Sequence, residues 1–150
     1  MADRSHLDLG DYLPYLINRV GFALVESFTV NALTATGLSI AMWRVLAALS
    51  NRGEQRQIDL VDMTSIDAST MSRLVTRLVR MGLVTRARSK TSSREVVIAL
   101  SPKGSALVAR LIPIARELER TASANVAAKD MAVAKRVLRE IHENLVGGKA

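Results

Sequence analysis

The chain contains no cysteine. That excludes disulfides, cysteine-ligated metals, thiol nucleophiles and thiol-based redox sensing. Histidine is nearly absent: His6 and His142 are the two present, far apart in sequence. His142-Glu143 lacks the second histidine of a zinc-binding helix. No glycine-rich loop opens a helix, the Gly147-Gly148-Lys149 stretch precedes none, and no serine elbow is found. An enzyme is therefore not expected, nor is a metal or cofactor. Aromatic residues make up 3% of the chain, so aliphatic side chains must supply most of the packing. Long apolar runs are missing too. The longest uncharged stretch, Ser27 to Trp43, is 17 residues and contains Thr29, Asn31, Thr34, Thr36, Gly37 and Ser39, too short and polar to span a bilayer. The first residues carry no basic flank leading into an apolar segment. The expectation is a soluble, cytoplasmic protein without a membrane partner.

What is present fits one domain over residues 1–150. Apolar residues are 49% of the chain and charged residues 23%, enough to bury a core. The net charge is +7, which suggests a polyanionic partner. This charge is concentrated: between Arg73 and Lys103 eight basic residues face one acidic residue. The basic residues lie on a capped helix and a loop rather than beside a long apolar face, which disfavours a membrane-surface role.

Apolar residues at helical spacing (Leu13, Leu16, Ile17, Val20, Leu24, Phe28) predict a first helix within 11–33. Ser39 is a good N-cap for a second helix with Met42, Val45, Leu46 and Leu49 inward, ended by Gly53. A short helix over about 56–63 should turn Ile58, Leu60 and Val61 inward. After a tight turn at Thr64-Ser65-Ile66, Asp67 caps a helix running to Met81, with Met71, Leu74, Val75 and Leu78 as its inner stripe. The opposite face carries Ser69, Thr70, Ser72, Arg73, Thr76, Arg77 and Arg80. Two helices joined by so short a turn, the second basic on its outer side, form a helix-turn-helix. The period then changes. Residues 84–88 and 95–100 read as strands around a polar, basic tip, Ser89 to Arg94, giving a hairpin and thus a winged helix. Ser101 and Pro102 restart a helix as N-cap and N1. Pro113 falls within it, and a last helix covers about 126–146, followed by a frayed end at 147–150. The expected class is mainly α, an α+β winged helix-turn-helix.

On this architecture short side chains at Ser69, Thr70 and Ser72 let the helix approach a duplex closely. Arg73 and Arg77, one turn apart, can each pair bidentately with guanine in the major groove. Thr76 suits a thymine methyl or a phosphate, and Arg80 a phosphate or solvent. On the wing, Arg88 and Lys90 suit phosphates, which supply affinity without sequence information. The terminal helices carry more apolar surface than a small winged helix can cover, which predicts an interface.

With Leu38-Ser-Ile-Ala-Met-Trp-Arg-Val-Leu46, the Asp67 to Val84 stretch and Val97-Ile-Ala-Leu-Ser-Pro-Lys-Gly104 in hand, the chain resembles the MarR family of bacterial transcription regulators. The resemblance implies a homodimer built by N- and C-terminal helices (about 11–36 and 103–146) and a DNA-binding winged helix (38–101). It implies a pseudo-palindromic operator in double-stranded DNA. Arg94 aligns with the family arginine that enters the minor groove, where narrow A·T-rich segments attract arginine. One departure is visible: the family's wing commonly reads Asp-x-Arg, whereas this chain has Ser92-Ser93-Arg94. A wing held less firmly, or by hydroxyl hydrogen bonds, is expected. The resemblance further implies a repressor released by a small effector bound near Tyr15, Asn18, Arg19, Phe22, Met42 and Trp43. Leu7 to Pro14 looks like regulators of aromatic-acid catabolism, pointing to an aromatic acid or its coenzyme A thioester. The competing expectation is a constitutive or architectural DNA-binding protein without an effector.

Overall fold

The structure is a computed structural model that describes residues 6–147, so residues 148–150 of the expected frayed end lie outside the described residues. Two compact units are present, one up to Arg116 and one from Glu117 onward. The elements follow in the order α1 (Leu13–Phe28), a π turn (Thr29–Leu33), a 3-10 turn (Thr34–Thr36), α2 (Ile40–Arg52), β1 (Gln55–Arg56), α3 (Gln57–Thr64), α4 (Ala68–Arg80), β2 (Val84–Arg88), β3 (Val96–Leu100), α5 (Pro102–Ala122) and α6 (Ala128–Val146). The three strands form an antiparallel sheet in the order β1-β3-β2.

Local chemistry sets the helix ends where the sequence placed them. Ser39 Oγ accepts the Met42 N–H (3.2 Å) at the start of α2. Asp67 Oδ1 accepts the Thr70 N–H (2.8 Å) at the start of α4. Ser101 Oγ accepts the Gly104 N–H (3.0 Å) in the first turn of α5. Each bond satisfies a donor that the helix itself leaves orphaned. Gly53 and Gly82 both have positive φ (77° and 71°), the conformation that stops α2 and α4 without a Cβ penalty.

The core lies in the first unit. Leu33, Met42, Val45, Leu46 and Leu49 meet Leu60, Met71, Val75, Leu78, Leu83, Ile98 and Val108, all essentially without solvent contact. Met71, Val75 and Leu78 anchor α4, each stabilising the fold by about 1.5–3 kcal/mol through burial. With its inner stripe held, the helix has no freedom to roll, and its outer face is fixed in direction. Ile58 differs from expectation. It is 56% exposed, because the eight-residue α3 buries Leu60 and half-buries Val61, while Ile58 lines a cleft at the base of the wing. The two-residue β1 was not legible as a strand. It exists because Gln55 and Arg56 pair with Ile98 and Val97.

In the second unit, ion pairs join Glu117 to Arg120 and Glu119 to Lys135, and Arg136 to Glu140 along α6. Val133, Val137, Leu138 and Leu145 are exposed there.

The Asp67 cap makes a testable contribution. Its carboxyl titrates below the ordinary 3.8 because the Thr70 backbone N–H and hydroxyl stabilise the anion. A depressed carboxylate stabilises the fold fully above its unfolded value, and the contribution is lost as pH falls through the folded value. Asp67→Asn keeps the acceptor but removes the charge. It is expected to melt below wild type at pH 7, with the gap closing as pH falls below the ordinary 3.8 and through the lower folded value. Thermal melts across this range check it; a gap that stays constant with pH would show that the charge contributes nothing.

Candidate nucleic-acid interface

The outer face of α4 carries an open groove. Ser72, Arg73, Thr76, Arg77 and Arg80 line a space of about 380 Å³. Ser69, Ser72, Arg73, Arg77 and Arg80 are exposed, and Thr70 and Thr76 half-buried. The hydroxyls orient the helix's own polar groups: Arg73 Nη2 donates to Thr70 Oγ1 (3.4 Å), and Thr76 Oγ1 donates to the Ser72 carbonyl (3.0 Å). Arg86 of β2, which the sequence reading did not single out, donates from Nη2 to Thr76 Oγ1 (3.4 Å). Its signal was available only as an arginine on the first wing strand. The side chains of Arg77 and Arg80 form no ion pair or hydrogen bond among the described residues, so their forks are free to meet an anion.

The wing places its basic residues unequally. Arg88 Nη1 donates to the Ser93 carbonyl (2.9 Å), so this arginine is partly occupied in bracing the loop it stands beside. Ser89 Oγ and Thr91 Oγ1 share a hydrogen bond (2.9 Å), and the Thr91 N–H donates to Ser89 Oγ (3.2 Å). The Ser89 N–H donates to the Glu95 carbonyl (2.8 Å), closing the loop. Hydroxyl and backbone bonds thus hold the tip in which the Asp-x-Arg aspartate is absent. Lys90 and Arg94 are exposed and without partners among the described residues.

At the wing's base stands a residue absent from the sequence-based candidates. Arg56 forms a bidentate pair with Asp59 (Nε and Nη2, both 2.7 Å) and reaches Glu95 through Nη1 (3.1 Å). Both carboxylates hold its guanidinium charged, and Arg56 in turn draws the Asp59 carboxyl below its ordinary range. The i, i+3 spacing of Arg56 and Asp59 was a readable signal; the pairing with Glu95, 39 residues away, was not.

The expected effector residues do not come together uniformly. Met42 belongs to the core, 1% exposed, with its sulfur accepting the Ser39 N–H (3.5 Å). Trp43 is half-buried and packs on Phe28, ring centroids 5.2 Å apart. It also lines a space of about 570 Å³ between α2 and α3 with Arg44, Ala47, Asn51 and Met63. Asn18, Arg19 and Phe22 are exposed on α1, and Arg19 stacks over the half-buried Tyr15 ring (5.7 Å to its centroid). Among the described residues no three histidine, aspartate or glutamate side chains gather as a metal-binding group. No single described helix is long and apolar enough to cross a membrane.

A capped, core-anchored helix with an arginine-lined outer groove, followed by a basic hairpin, defines a winged helix-turn-helix protein. The MarR family profile matches residues 38–96, which span α2 through the first residue of β3. The HTH-type transcriptional repressor NicR of Pseudomonas putida is 28% identical over 96 residues, 64% of this chain and 61% of NicR, so the alignment spans less than two thirds of that relative. The HTH-type transcriptional repressor Rv2887 of Mycobacterium tuberculosis is 27% identical over 129 residues, 86% of this chain and 92% of that protein. A MarR family transcriptional regulator of known crystal structure from Silicibacter pomeroyi superposes with a TM-score of 0.85 at 27% identity, covering 93% of each chain. Over residues 38–96 the chain is similar to the MarR family of transcription regulators.

Proposed function

We propose that the protein is a homodimeric, sequence-specific DNA-binding repressor, not an enzyme, that works in the cytoplasm and is released from its operator by a small aromatic acid or its coenzyme A thioester. The observation that carries the DNA-binding part is the groove of Ser72, Arg73, Thr76, Arg77 and Arg80 on a helix whose inner stripe is fully buried. An α-helix fits the major groove, where Arg73 and Arg77 pair with guanine O6 and N7. Ser69, Thr70 and Ser72 permit close approach, Thr76 meets a thymine methyl or phosphate, and Arg80, Arg88 and Lys90 neutralise phosphates. Arg94 enters the flanking minor groove.

Dimerisation is supported in each unit by apolar side chains left in solvent: Leu13, Leu16, Ile17, Val20 and Phe22 on α1, and Val133, Val137, Leu138 and Leu145 on α6. Exposed apolar surface on this scale is characteristic of an interface. A two-fold dimer reads a pseudo-palindrome with half-sites about one helical turn apart. For the effector, Arg19 offers a cation to a carboxylate, Asn18 a hydrogen bond, and Tyr15, Phe22 and Trp43 ring surfaces. A ligand there acts by binding more tightly to the form of the dimer that does not match DNA.

Binding of a duplex selected by the full chain from a randomised pool tests the reading. The affinity is expected to fall with salt at a log–log slope of roughly −0.9 per phosphate neutralised. An aromatic acid or thioester that raises the melting temperature should release the duplex at the same dose. A curve indifferent to sodium chloride would overturn the DNA interface. Steep salt dependence with no releasing acid or thioester would leave a constitutive DNA-binding protein.

A further inference from the structure

The wing is the part of a winged helix with the least packing behind it, and its placement decides whether Arg94 can reach a groove while α4 lies in the next one. Behind the wing of this protein is a cleft of about 380 Å³ lined by Arg56, Gln57, Ile58, Ser72, Arg86, Glu95 and Val96. Ile58 and Val96 are both exposed there, so apolar packing does not close the gap between the start of α3 and the base of the hairpin. Strand pairing of Arg56 with Val97 joins the two at the bottom of the cleft, and a charged bridge spans the open side. Arg56 occupies the last position of β1 and the N-cap position of α3. Two of its guanidinium nitrogens are taken by the Asp59 carboxylate, one turn into α3, at 2.7 Å each. A planar guanidinium held on that side has a fixed direction on the other. In that direction lies Glu95, with Nη1 to Oε1 at 3.1 Å. Among the described residues this is the ion pair that joins the helix-turn-helix to the wing.

Glu95 is the residue after Arg94. Its backbone carbonyl accepts from Ser89 and its N–H donates to the Ser92 carbonyl (3.3 Å), so its position sets the register at which the tip closes. Both side chains of the Arg56–Glu95 pair are close to half exposed, at 48% and 42%. Ion pairs so exposed contribute little to stability, so the pair's consequence is geometric.

We propose that Asp59, Arg56 and Glu95 form a clamp that sets the reach of the wing, holding Arg94 in register with the α4 face; Arg56 and Glu95 are positioning residues for DNA recognition and do not themselves touch the duplex. The inference rests on reading Arg94 as the minor-groove arginine.

The clamp predicts an effect opposite in sign to simple electrostatics. Glu95 and Asp59 are anions close to a surface that meets a polyanion. If repulsion were their whole effect, Glu95→Gln and Asp59→Asn would tighten binding to every duplex. The clamp requires both variants to bind a selected duplex with A·T-rich flanks more weakly, by roughly 2- to 5-fold. The same variants should bind random duplex as well as wild type or slightly better, with melting temperatures close to wild type. Arg94→Ala should itself weaken binding to the A·T-flanked duplex more than to a G·C-flanked one. In the Arg94→Ala background the loss caused by Glu95→Gln should vanish, because there is no longer a side chain to place. Fluorescence anisotropy titrations with the full chain at fixed salt give all of these values. If Arg94→Ala weakens A·T-flanked binding but Glu95→Gln tightens it or leaves it unchanged, the clamp is overturned alone. If Arg94→Ala changes nothing, or costs equally on both flanks, the minor-groove reading falls and the clamp falls with it.

Discussion

Replacing Arg73 or Arg77 with alanine is expected to lower the preference for the selected duplex over random duplex by about 1–3 kcal/mol, roughly 5- to 150-fold, while the dimer and its melting temperature stay unchanged. Both side chains project from the exposed face of a helix whose opposite stripe is buried, so truncation removes a contact with DNA without opening the core. The two positions are not equivalent. Arg73 is steadied by Thr70 Oγ1, whereas the Arg77 side chain has no partner among the described residues and reaches the groove freely. Arg73→Lys or Arg77→Lys keeps the charge but loses the planar fork, and should recover affinity for random duplex without recovering discrimination. Arg80→Ala should weaken all duplexes alike, as expected of a residue that meets a phosphate rather than a base. Competition titrations between selected and random duplex decide the matter. An unchanged ratio in both alanine variants would mean that α4 does not read bases.

Gly104→Ala should destabilise the protein by about 1–3 kcal/mol, with a corresponding fall in melting temperature. A Cβ at this position would stand 2.0 Å from the Leu83 carbonyl oxygen and 2.9 Å from its carbonyl carbon. Backbone cannot step aside as a flexible side chain could. The first turn of α5 is pressed against this segment by three further bonds. The Ser101 N–H donates to the Leu83 carbonyl (3.0 Å), Ser101 Oγ to the Gly82 carbonyl (2.6 Å) and Lys103 Nζ to the Met81 carbonyl (2.9 Å). Together they take up carbonyls at the end of α4 and hold the point where the chain leaves it for β2. The same substitution at Gly21, exposed on α1 with nothing within 4 Å of an added Cβ, should instead stabilise by about 0.5–1 kcal/mol through helix propensity. Urea or thermal unfolding of the two variants gives the comparison. A Gly104→Ala protein as stable as wild type would show that α5 is not seated this closely.

The legible parts of this protein were those governed by neighbours in sequence. Ser39, Asp67 and Ser101 were readable as caps because the groups they satisfy lie within three residues. The inner stripe Met71, Val75 and Leu78 was readable because helical periodicity alone puts those positions on one side. The outer arginines then followed by elimination. The wing was readable as a change of period; of the two states expected for its tip, the hydroxyl-bonded one is present, through Ser89 and Thr91 rather than Ser92. Two other positions share a different property. Ile58 fits an inward pattern, yet it is exposed because the wing leaves a cleft beside it. Met42, expected both on the inward stripe of the second helix and near an effector, is enclosed by the core.

From the sequence alone came the class of fold, the identity of the helix with a buried stripe and a basic outer face, and the cationic side chains it presents, because periodicity, caps and charge are properties of a chain segment taken by itself. Only the tertiary structure decided that Arg56 reaches across 39 residues to Glu95, that a two-residue strand completes the sheet, and that Gly104 must lack a side chain. Those facts depend on which distant surfaces come into contact when the core closes, and no local pattern carries that information.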